Sequence, residues 1–301
     1  MNLIDIAEMT EEQARAYLED LLWDGEPICP HCGQRKATKV DGKSTRDGLY
    51  SCSKCRKPFT VTVGTIMHRS HLPIKVWLMA FYLLCSSKKG ISALQLKRQL
   101  GLGSYRTAWM LVNKIRKAME VNPEFCKLFG YVEADETYTG GKGKGGKRGR
   151  GSDKKTAIAG VLERHGNVFC KPVKSVDSET LKAFVLQCVD SRSVLLTDEW
   201  RSYNKVGKMM NSHKVVNHGR GEYVRGDIST NWIESFWSLL KKGIGGIFHH
   251  VSVKHLALYC NEFSFRWNHR NDSDWECFED ALMGVVSKRL TYQTLTTQPH
   301  V

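Results

Sequence analysis

The sequence predicts an α/β protein in which a cysteine-rich module and a helical region precede a larger mixed domain. Three observations indicate this: two cysteine pairs near the start, three helical patterns after them, and alternating strand and helix patterns through most of the remainder. A chain of 301 residues, of which 41% are hydrophobic, is long enough to form two or three domains with their own cores.

The charge of the chain is strongly and unevenly basic. It has 45 lysines and arginines against 31 acidic residues, a formal net charge of +14. Residues 1–27 hold eight acids and a single arginine, so they carry −7 and the remainder carries +21. This balance favours a polyanionic partner, such as nucleic acid, for the chain beyond its first helix. A basic protein without such a partner is the alternative.

The sequence shows none of the patterns of a membrane or secreted protein. No run of about 18 apolar residues occurs, and the start MNLIDIAEMTEEQ lacks the basic and apolar regions of a secretion signal. The sequence therefore predicts a soluble, intracellular protein.

The N-terminal part predicts a leading helix over residues 1–25 and a zinc ribbon over 26–68. Thr10 and Gln13 stand at capping-box spacing, and leucines follow at helical intervals. The motifs CPHC and CSKC come next, with 19 residues between them, a spacing typical of a zinc site with four thiolates. Disulfides are the rival interpretation, which the lack of a secretion signal disfavours. The predicted zinc ligands are Cys29, Cys32, Cys52 and Cys55.

Residues 72–122 contain three helical patterns separated by glycine-marked turns, which indicate a helix-turn-helix-like region. The third pattern, GSYRTAWMLVNKIRKAM, would be the recognition helix, with side chains for base edges and phosphates. A plain three-helix bundle is the alternative. The predicted DNA contacts are Tyr105, Arg106, Thr107, Lys114, Arg116 and Lys117.

The stretch TGGKGKGGKRGRGSDKK, residues 139–155, has seven basic residues, seven glycines and one acid. This composition predicts a loop between strands, whose glycines let basic side chains follow a phosphate backbone closely. A hairpin tip without a partner is the alternative. A P-loop is excluded, because no Gly-Lys-Ser/Thr ending opens a helix. The predicted DNA contacts in this loop are Lys142, Lys144, Lys147, Arg148 and Arg150.

Acidic residues mark two predicted strands of the third region, residues 128–291. YVEADETYTG predicts a strand on which Glu133 and Asp135 share one face, while Glu136 points to the other. Two more strands, a helix and the short buried strand of SVLLTDEW follow. Asp198 lies at the carboxyl end of that last strand, where open α/β sheets place ligand-binding groups.

The pattern NWIESFWSLLKKGIGGIFHH, residues 231–250, predicts an amphipathic helix with one unexplained glutamate. Glu234 lies at the edge of the apolar arc and has no basic residue one turn away. A solvated glutamate is the plain alternative. Three strands, a helix, another strand and this helix form the order of an RNase H-like fold, with Asp135 on its first strand, Asp198 at the end of a later strand and Glu234 on the final helix.

In these residues the chain resembles the DDE transposases of bacterial insertion sequences, specifically the group with an N-terminal zinc ribbon that is related to the eukaryotic Merlin elements. The resemblance covers about residues 20–280. It rests on the ribbon cysteines, on VEADETYTGG, on LLTDEWRSY and on the long block from NWIESFW to RWNHR.

The resemblance implies that Asp135, Asp198 and Glu234 form the acidic triad of the family. Three carboxylates suit hard cations, so two Mg²⁺ or Mn²⁺ ions would serve phosphoryl transfer there. Glu133, Glu136 and Glu199 have no role in the pattern and are expected to support the site or to be solvated.

The resemblance also implies a DNA transposase that binds the terminal inverted repeats of its insertion sequence, cleaves there and joins the ends to target DNA. Members of this class synapse two ends, which implies a homodimer or a higher complex in the bacterial cytoplasm, at the nucleoid. Two alternatives stay open: a DNA-binding regulator with a retired catalytic domain, and a structure-specific nuclease that cuts without joining.

The C-terminal part adds basic and histidine residues to the predicted DNA contacts. Three histidines between 249 and 255, together with Glu262, match no metal-ligand motif, so a second metal site is not expected. Residues 274–289 predict a closing helix and residues 292–301 a disordered tail. The residues expected to contact DNA or to support the catalytic helix are Lys241, Lys242, His249, His250, Lys254, Arg266 and Arg270.

Overall fold

The computed structural model describes residues 1–42, 44–140, 155–217, 224–226 and 228–297, and they form two units. The first unit contains residues 1–119 and 272–296, and the second is built from residues 120–271. None of the helices in these described ranges is both long and apolar enough to cross a membrane.

The first unit begins with two short helices where the sequence predicted one. They are α1 (Leu3–Glu8) and α2 (Glu11–Trp23). The predicted capping box begins α2, because the Gln13 N–H donates to Thr10 Oγ1 at 3.2 Å and the Thr10 N–H donates to Gln13 Oε1 at 2.8 Å. Helix α1 ends at Met9, whose φ of −57° and ψ of 142° are extended and not helical, and this separates it from α2.

The ribbon is a three-stranded antiparallel sheet in the order β1 (Ala37–Lys39), β2 (Tyr50–Cys52), β3 (Pro58–Phe59). Such short strands bury little surface of their own. Phe59 is buried and packs edge-on against Trp23 of α2, so the ribbon shares its apolar contacts with that helix.

Three helices follow: α3 (Ile74–Ser86), α4 (Ala93–Gln99) and α5 (Tyr105–Ala118). Ser92 and Ser104 cap α4 and α5, since each hydroxyl accepts a backbone N–H of the first turn. The glycines between α4 and α5 form the turn, and Gly101 adopts a positive φ of 62° that favours glycine.

Two C-terminal helices, α10 (Asp274–Met283) and α11 (Tyr292–Thr297), belong to the first unit. The predicted catalytic domain, 128–291, therefore extends too far. Helix α10 packs on α3 through a face that includes Phe278, and the Tyr17 hydroxyl donates to Glu279 at 2.8 Å. Helical periodicity shows that this face is apolar, but it does not show which core accepts it.

The end of the chain also differs from its prediction. Leu295 of α11 is fully buried, so residues 292–297 form an ordered helix and not a disordered tail. Residues 298–301 lie outside the described residues.

The second unit is built on a five-stranded sheet in the order β6-β5-β4-β7-β8. Strands β4, β5 and β6 are antiparallel neighbours, whereas β7 runs parallel to both β4 and β8. Four of these strands lie where the sequence predicted them. The fifth, β8, was not predicted, because it is short and half-buried along its whole length, without a clear alternation. The strands are β4 (Tyr131–Thr139), β5 (Thr156–Glu163), β6 (Val168–Val173), β7 (Val194–Thr197) and β8 (Ser212–Val215).

Helices cover both faces of this sheet. Helices α6 (Ser178–Cys188) and α7 (Asn204–Gly207) pack on one face, and α8 (Asn231–Gly243) and α9 (Leu256–Asn268) pack on the other. A two-stranded hairpin, β9 (Val224–Arg225) with β10 (Ile228–Ser229), leads into α8. Since side chains alternate along β4, its acidic residues are divided between the two helical layers.

Candidate active site

Two acids stand at the same level on neighbouring strands of the second unit. The parallel pairing of β4 with β7 matches Glu133 to Leu196. Two residues further along each strand, this register brings Asp198 level with Asp135. Asp198 lies just past the carboxyl end of β7, as predicted.

The side chain of Asp135 is held by a tryptophan of α8. Trp237 Nε1 donates to Asp135 Oδ2 at 3.0 Å. The indole can lie this close to the sheet because Gly160, the partner of Asp135 on β5, has no side chain. A Cβ atom at residue 160 would lie only 2.5 Å from Cη2 of Trp237 and 2.6 Å from Cζ2. The glycine therefore permits the contact that orients the aspartate.

Glu234 projects from the first turn of α8 into the pocket that Asp135 also lines. The apolar arc of the helix is buried against the sheet, which leaves Glu234 exposed at the edge of the arc, as predicted. The Thr230 hydroxyl donates to Glu234 Oε1 at 3.0 Å. Lys241 and Lys242 from the end of the same helix line the pocket too, so its lining has both acidic and basic residues.

The three predicted metal ligands do not form a tight cluster. Among the described residues, the carboxylate oxygens of Asp135, Asp198 and Glu234 do not all lie within 4.8 Å of one another. Each is held by its own donor, and that of Asp198 is the backbone N–H of Trp200 at 3.0 Å. Negative charges of this kind repel one another unless a cation lies between them.

The electrostatics of Asp135 are those of a crowded, buried acid. The pKa of Asp135 is raised to about 7, first by burial and then by the charges of Glu136 and Asp198. Hydrogen bonds from the Glu136 backbone and from Trp237 oppose the shift. A carboxyl group in this environment binds a proton near neutral pH, or a metal cation in place of that proton.

Glu133 has a structural role that the sequence did not reveal. Its side chain is fully buried, and Oε2 accepts the backbone N–H groups of Trp232 at 2.9 Å and Ile233 at 3.1 Å. These N–H groups belong to the first turn of α8, where the Thr230 hydroxyl is bonded to Glu234 and caps nothing. Glu133 of β4 thus caps the N-terminus of α8 in place of a side chain at the helix start.

An arginine balances the buried charge of Glu133. Arg164 Nε donates to Glu133 Oε1 at 2.9 Å, and Arg164 also donates to the backbone oxygen and the hydroxyl of Ser229. Burial raises the pKa of Glu133, whereas the Ile233 N–H and Arg164 lower it. The sequence offered one signal, an acid inside a strand on the face that α8 covers.

The other two neighbouring acids also have defined surroundings. Glu136 points to the opposite face of β4, as predicted, and accepts a hydrogen bond from the buried Tyr203 hydroxyl at 3.1 Å. Glu199 is exposed.

The four cysteines of the ribbon form a cluster whose sulfur atoms all lie within 4.8 Å of one another. Cys29 and Cys55 have their sulfurs 3.7 Å apart, and those of Cys32 and Cys52 are 3.6 Å apart. Zinc with four Zn–S bonds of about 2.3 Å requires sulfurs about 3.8 Å apart in a tetrahedron. Backbone N–H groups, first that of Cys55, lower the pKa of Cys52 to about 6, whereas burial raises the pKa of Cys29 to about 11. The cluster fits a structural zinc ion.

The structure distinguishes among the DNA contacts predicted on α5. Tyr105 and Arg106 are exposed, and Arg106 stacks on the ring of Tyr292 with its Cζ 3.7 Å from the centroid. Lys114 is half-buried over Trp77. Arg116 is buried and donates to Asn113 at 3.3 Å, so its prediction as a DNA contact is corrected: it faces the core.

The remaining predicted DNA contacts fall into two groups. Lys241, Lys242, His249 and His250 are exposed, and Lys254 is half-buried. The loop residues Lys142, Lys144, Lys147, Arg148 and Arg150 lie outside the described residues.

Glu262 and Arg266 of α9, and Arg270 just after it, make hydrogen bonds within the second unit. Glu262 is buried and accepts a hydrogen bond from Arg266 at 2.7 Å, which gives it a structural role. Arg270 donates to the backbone oxygens of Gly166 and Trp267. Arg266 therefore forms an ion pair within α9, and Arg270 links the end of α9 to the turn after β5.

Sequence comparison finds two family models in the chain. The model described as the ISXO2-like transposase domain matches residues 127–268, and the one described as the transposase zinc-ribbon domain matches residues 9–58. Together the two matches take in nearly two thirds of the chain.

Two curated proteins are similar to this chain, one from a transposable element and one described as transposase-like. An uncharacterised protein in the transposable element ISH50 of Halobacterium salinarum is 24% identical over 278 residues, 86% of this chain and 91% of that protein. An uncharacterised transposase-like protein of Haemophilus influenzae is 29% identical over 101 residues, 34% of this chain and 80% of that protein.

Among solved structures, the Mos1 transposase paired-end complex with the left transposon end covers 93% of this chain and all of its own chain. The identity is 12% and the TM-score is 0.21, too low to carry an argument about the fold.

Proposed function

Since the chain belongs to the IS1595-type transposases, which carry a zinc ribbon and an ISXO2-like transposase domain, we propose that it transposes an insertion sequence. It would bind the terminal inverted repeats of that element and catalyse metal-dependent cleavage and strand transfer into target DNA.

One observation carries this proposal. Asp135 and Glu234 line the same pocket, and Asp198 follows the neighbouring strand β7, whose register with β4 brings it level with Asp135. The three acids come from β4, from the end of β7 and from α8. The sheet order β6-β5-β4-β7-β8, with its first three strands antiparallel, supports the assignment of the second unit to the RNase H-like fold.

The donor set fits hard divalent cations. Asp135, Asp198 and Glu234 would hold Mg²⁺ or Mn²⁺, because these ions prefer carboxylate oxygen and the acids have no competing soft ligand in their set. When bound, two such ions lower the pKa of an attacking water or 3′-hydroxyl and stabilise the leaving oxygen. Cys29, Cys32, Cys52 and Cys55 would hold a structural zinc ion.

The residues of the chain itself would bind and orient. Trp237 fixes the side chain of Asp135, and Glu133 fixes the first turn of the helix that carries Glu234. Lys241 and Lys242 line the pocket and would bind phosphates of the DNA strand that enters it. No side chain needs to act as a nucleophile, because water or a DNA 3′-hydroxyl attacks the phosphorus.

DNA recognition would lie mainly in the first unit. We expect Tyr105 and Arg106, which are exposed at the start of α5, to meet base edges and phosphates, as in a helix-turn-helix. Bringing two element ends together requires at least two copies of the chain, so we expect a homodimer or a larger complex on DNA in the cytoplasm.

A joining assay tests the proposal. Purified protein, Mg²⁺ and labelled duplexes that end in the inverted repeats flanking its gene are incubated with plasmid DNA, and label joined to plasmid is measured. We expect joined product from the wild type, none from Glu234→Gln, and wild-type yield from Glu124→Gln, which removes an exposed acid of the same unit.

The same assay separates the alternative functions. Binding of the ends without nicking or joining, in Mg²⁺ and in Mn²⁺, would indicate a DNA-binding regulator. Nicking without joining would indicate a nuclease.

A further inference from the structure

A basic pocket in the first unit is the strongest feature that the proposed function leaves unexplained. It lies between the end of the zinc ribbon and residues 284–289, which follow α10. Its polar lining consists of His31, Thr65, His68, Ser287, Lys288 and Arg289. None of the described residues that line it is acidic.

The backbone ties the two sides of this basic pocket together. The Ile66 N–H donates to the Val285 oxygen at 3.0 Å, and the Ser287 N–H donates to the Gly64 oxygen at 2.9 Å. These bonds flank an antiparallel bridge, so the two segments pair as in a sheet although they lie far apart in sequence. The basic residues at 288 and 289 are therefore held beside the ribbon.

The same C-terminal segment is fixed to the end of α5. A Cβ atom at Gly284 would lie 2.3 Å from the Ala118 backbone oxygen, so only glycine permits this approach. Lys288 Nζ donates to that same oxygen at 2.6 Å. The pocket is thus anchored at both the ribbon and α5.

Positive charge converges on His68. Burial lowers the pKa of His68, and the nearby charges of Arg289, Arg69 and Lys114 lower it further. The Nδ1 atom of His68 is buried and has no hydrogen-bond partner in the described part of the chain. An anion in the pocket would relieve the repulsion between these positive charges.

We propose that this pocket binds one phosphate group of the DNA backbone, with Arg289, Lys288 and His68 as its principal contacts. A phosphate offers several acceptor oxygens, and the guanidinium group of Arg289 can donate two parallel hydrogen bonds to it. The assignment of DNA as the source of the phosphate rests on the proposed function and on the net charge of +14. The contact would link the ribbon and α5 to one DNA strand and so fix their register on the duplex.

The salt dependence of DNA binding tests the pocket. Fluorescence anisotropy would measure the affinity of the full-length protein for a labelled end duplex between roughly 50 and 300 mM KCl, a range over which phosphate contacts dominate the salt effect. No Mg²⁺ is added, so that the DNA stays intact. Arg289→Gln and His68→Leu are compared with Lys88→Gln, which removes one charge from an exposed site of the same unit. Melting curves check that each variant is folded.

Loss of one phosphate contact has a defined size. Arg289→Gln should lower the slope of log K against log salt by about 0.9 and weaken binding about five- to tenfold near 0.1 M salt. His68→Leu should weaken binding by more than Lys88→Gln does, and the double variant should lose little beyond Arg289→Gln, because both residues serve one phosphate.

Other results would overturn the pocket as a DNA site. They are an unchanged slope in Arg289→Gln, or losses in both pocket variants that are no larger than the loss in Lys88→Gln. Calorimetry with inorganic phosphate is the second experiment. If Arg289→Gln abolishes tight phosphate binding but binds the duplex as well as wild type does, the pocket binds a free anion and not the DNA backbone.

The test is independent of catalysis. A protein that joins DNA ends but shows no change of slope keeps the proposed function and loses this site. A protein that binds DNA with the predicted slopes but never joins ends keeps the site and loses the proposed function.

Discussion

Replacing Gly160 by alanine should disturb the candidate active site through a single methyl group. Gly160 pairs with Asp135 across the sheet and lies under the indole of Trp237. The added Cβ would lie 2.5 Å from Cη2 of Trp237, 2.6 Å from Cζ2 and 3.3 Å from Cδ1 of Ile233. Carbon atoms in ordinary contact are about 3.5–4.0 Å apart, so the ring must move by about 1 Å.

That displacement has two costs. Overpacking of this kind destabilises a protein by about 1–3 kcal/mol, and the hydrogen bond from Trp237 to the carboxylate of Asp135 contributes about 1.5–3 kcal/mol. Since the two effects share one side chain, we expect a combined loss of about 2–4 kcal/mol in the free energy of unfolding. A shift of about 1 Å in a positioned group can lower a rate about a hundredfold, so strand transfer should fall by a similar factor.

Urea denaturation and the joining assay would measure the two effects. Gly245→Ala is the matched control, because no atom lies within 4 Å of a Cβ at that residue, and its stability should stay within about 0.5 kcal/mol of wild type. Adding Trp237→Leu to Gly160→Ala should relieve the clash and recover part of the stability. Activity should not recover, because Asp135 has lost its donor.

The reasoning is refuted if Gly160→Ala unfolds at the same urea concentration as wild type and joins ends at the same rate. A partial result is also informative. Normal activity at reduced stability would show that Trp237 packs on the sheet without orienting Asp135.

Three further perturbations have defined outcomes. Glu133→Gln removes the buried negative charge that balances Arg164 and replaces one of the two acceptor oxygens, which weakens the cap of α8. Urea denaturation should therefore show a loss of about 2–4 kcal/mol, against less than about 0.5 for the exposed control Glu124→Gln. Asp135 binds its proton more tightly when folded, with a pKa of about 7 against the ordinary 3.8, so without Mg²⁺ the folded state should lose stability as pH rises from about 4 to 7. Asp135→Asn should remove that loss, so the variant should be more stable than wild type by up to about 4 kcal/mol at pH 8 and nearly equal to it at pH 4. Equal unfolding free energies of variant and wild type at both pH values would contradict the raised pKa of Asp135. Cys52→Ser, or removal of zinc by a chelator, should unfold the ribbon and abolish end binding, as followed by zinc content, proteolysis and anisotropy; a ribbon that resists protease without metal would refute this.

The sequence predicted the parts of the fold that follow from local periodicity. Alternation along β4 predicted that Glu133 and Asp135 share a face, and the apolar arc of α8 predicted that Glu234 lies at its edge. Cysteine spacing predicted the sulfur cluster, and its distances fit zinc. The role of Asp135, Asp198 and Glu234 as metal ligands stays a prediction.

Contacts between distant segments could not be derived in this way. The bond from Trp237 to Asp135, the space left by Gly160 and the capping of α8 by Glu133 each join residues from different elements. Periodicity identifies an apolar face but not its partner, which explains why α10 was predicted in the wrong unit. For the same reason Arg116 was predicted on the surface, although its face of α5 is buried.

The most direct test of the central claim concerns Asp198, the one of the three acids that does not line the pocket shared by Asp135 and Glu234. End cleavage by Asp198→Cys would be measured in Mg²⁺ and in Mn²⁺, beside wild type and the neighbouring control Glu199→Cys. A thiolate binds Mg²⁺ poorly and Mn²⁺ better, because Mg²⁺ demands hard oxygen ligands. If Asp198 binds the metal, the variant loses cleavage in Mg²⁺ and regains it in Mn²⁺, while Glu199→Cys behaves as wild type in both. A folded Asp198→Cys protein that cleaves in Mg²⁺ as well as wild type, or that stays equally inactive in both metals, would contradict the proposed site.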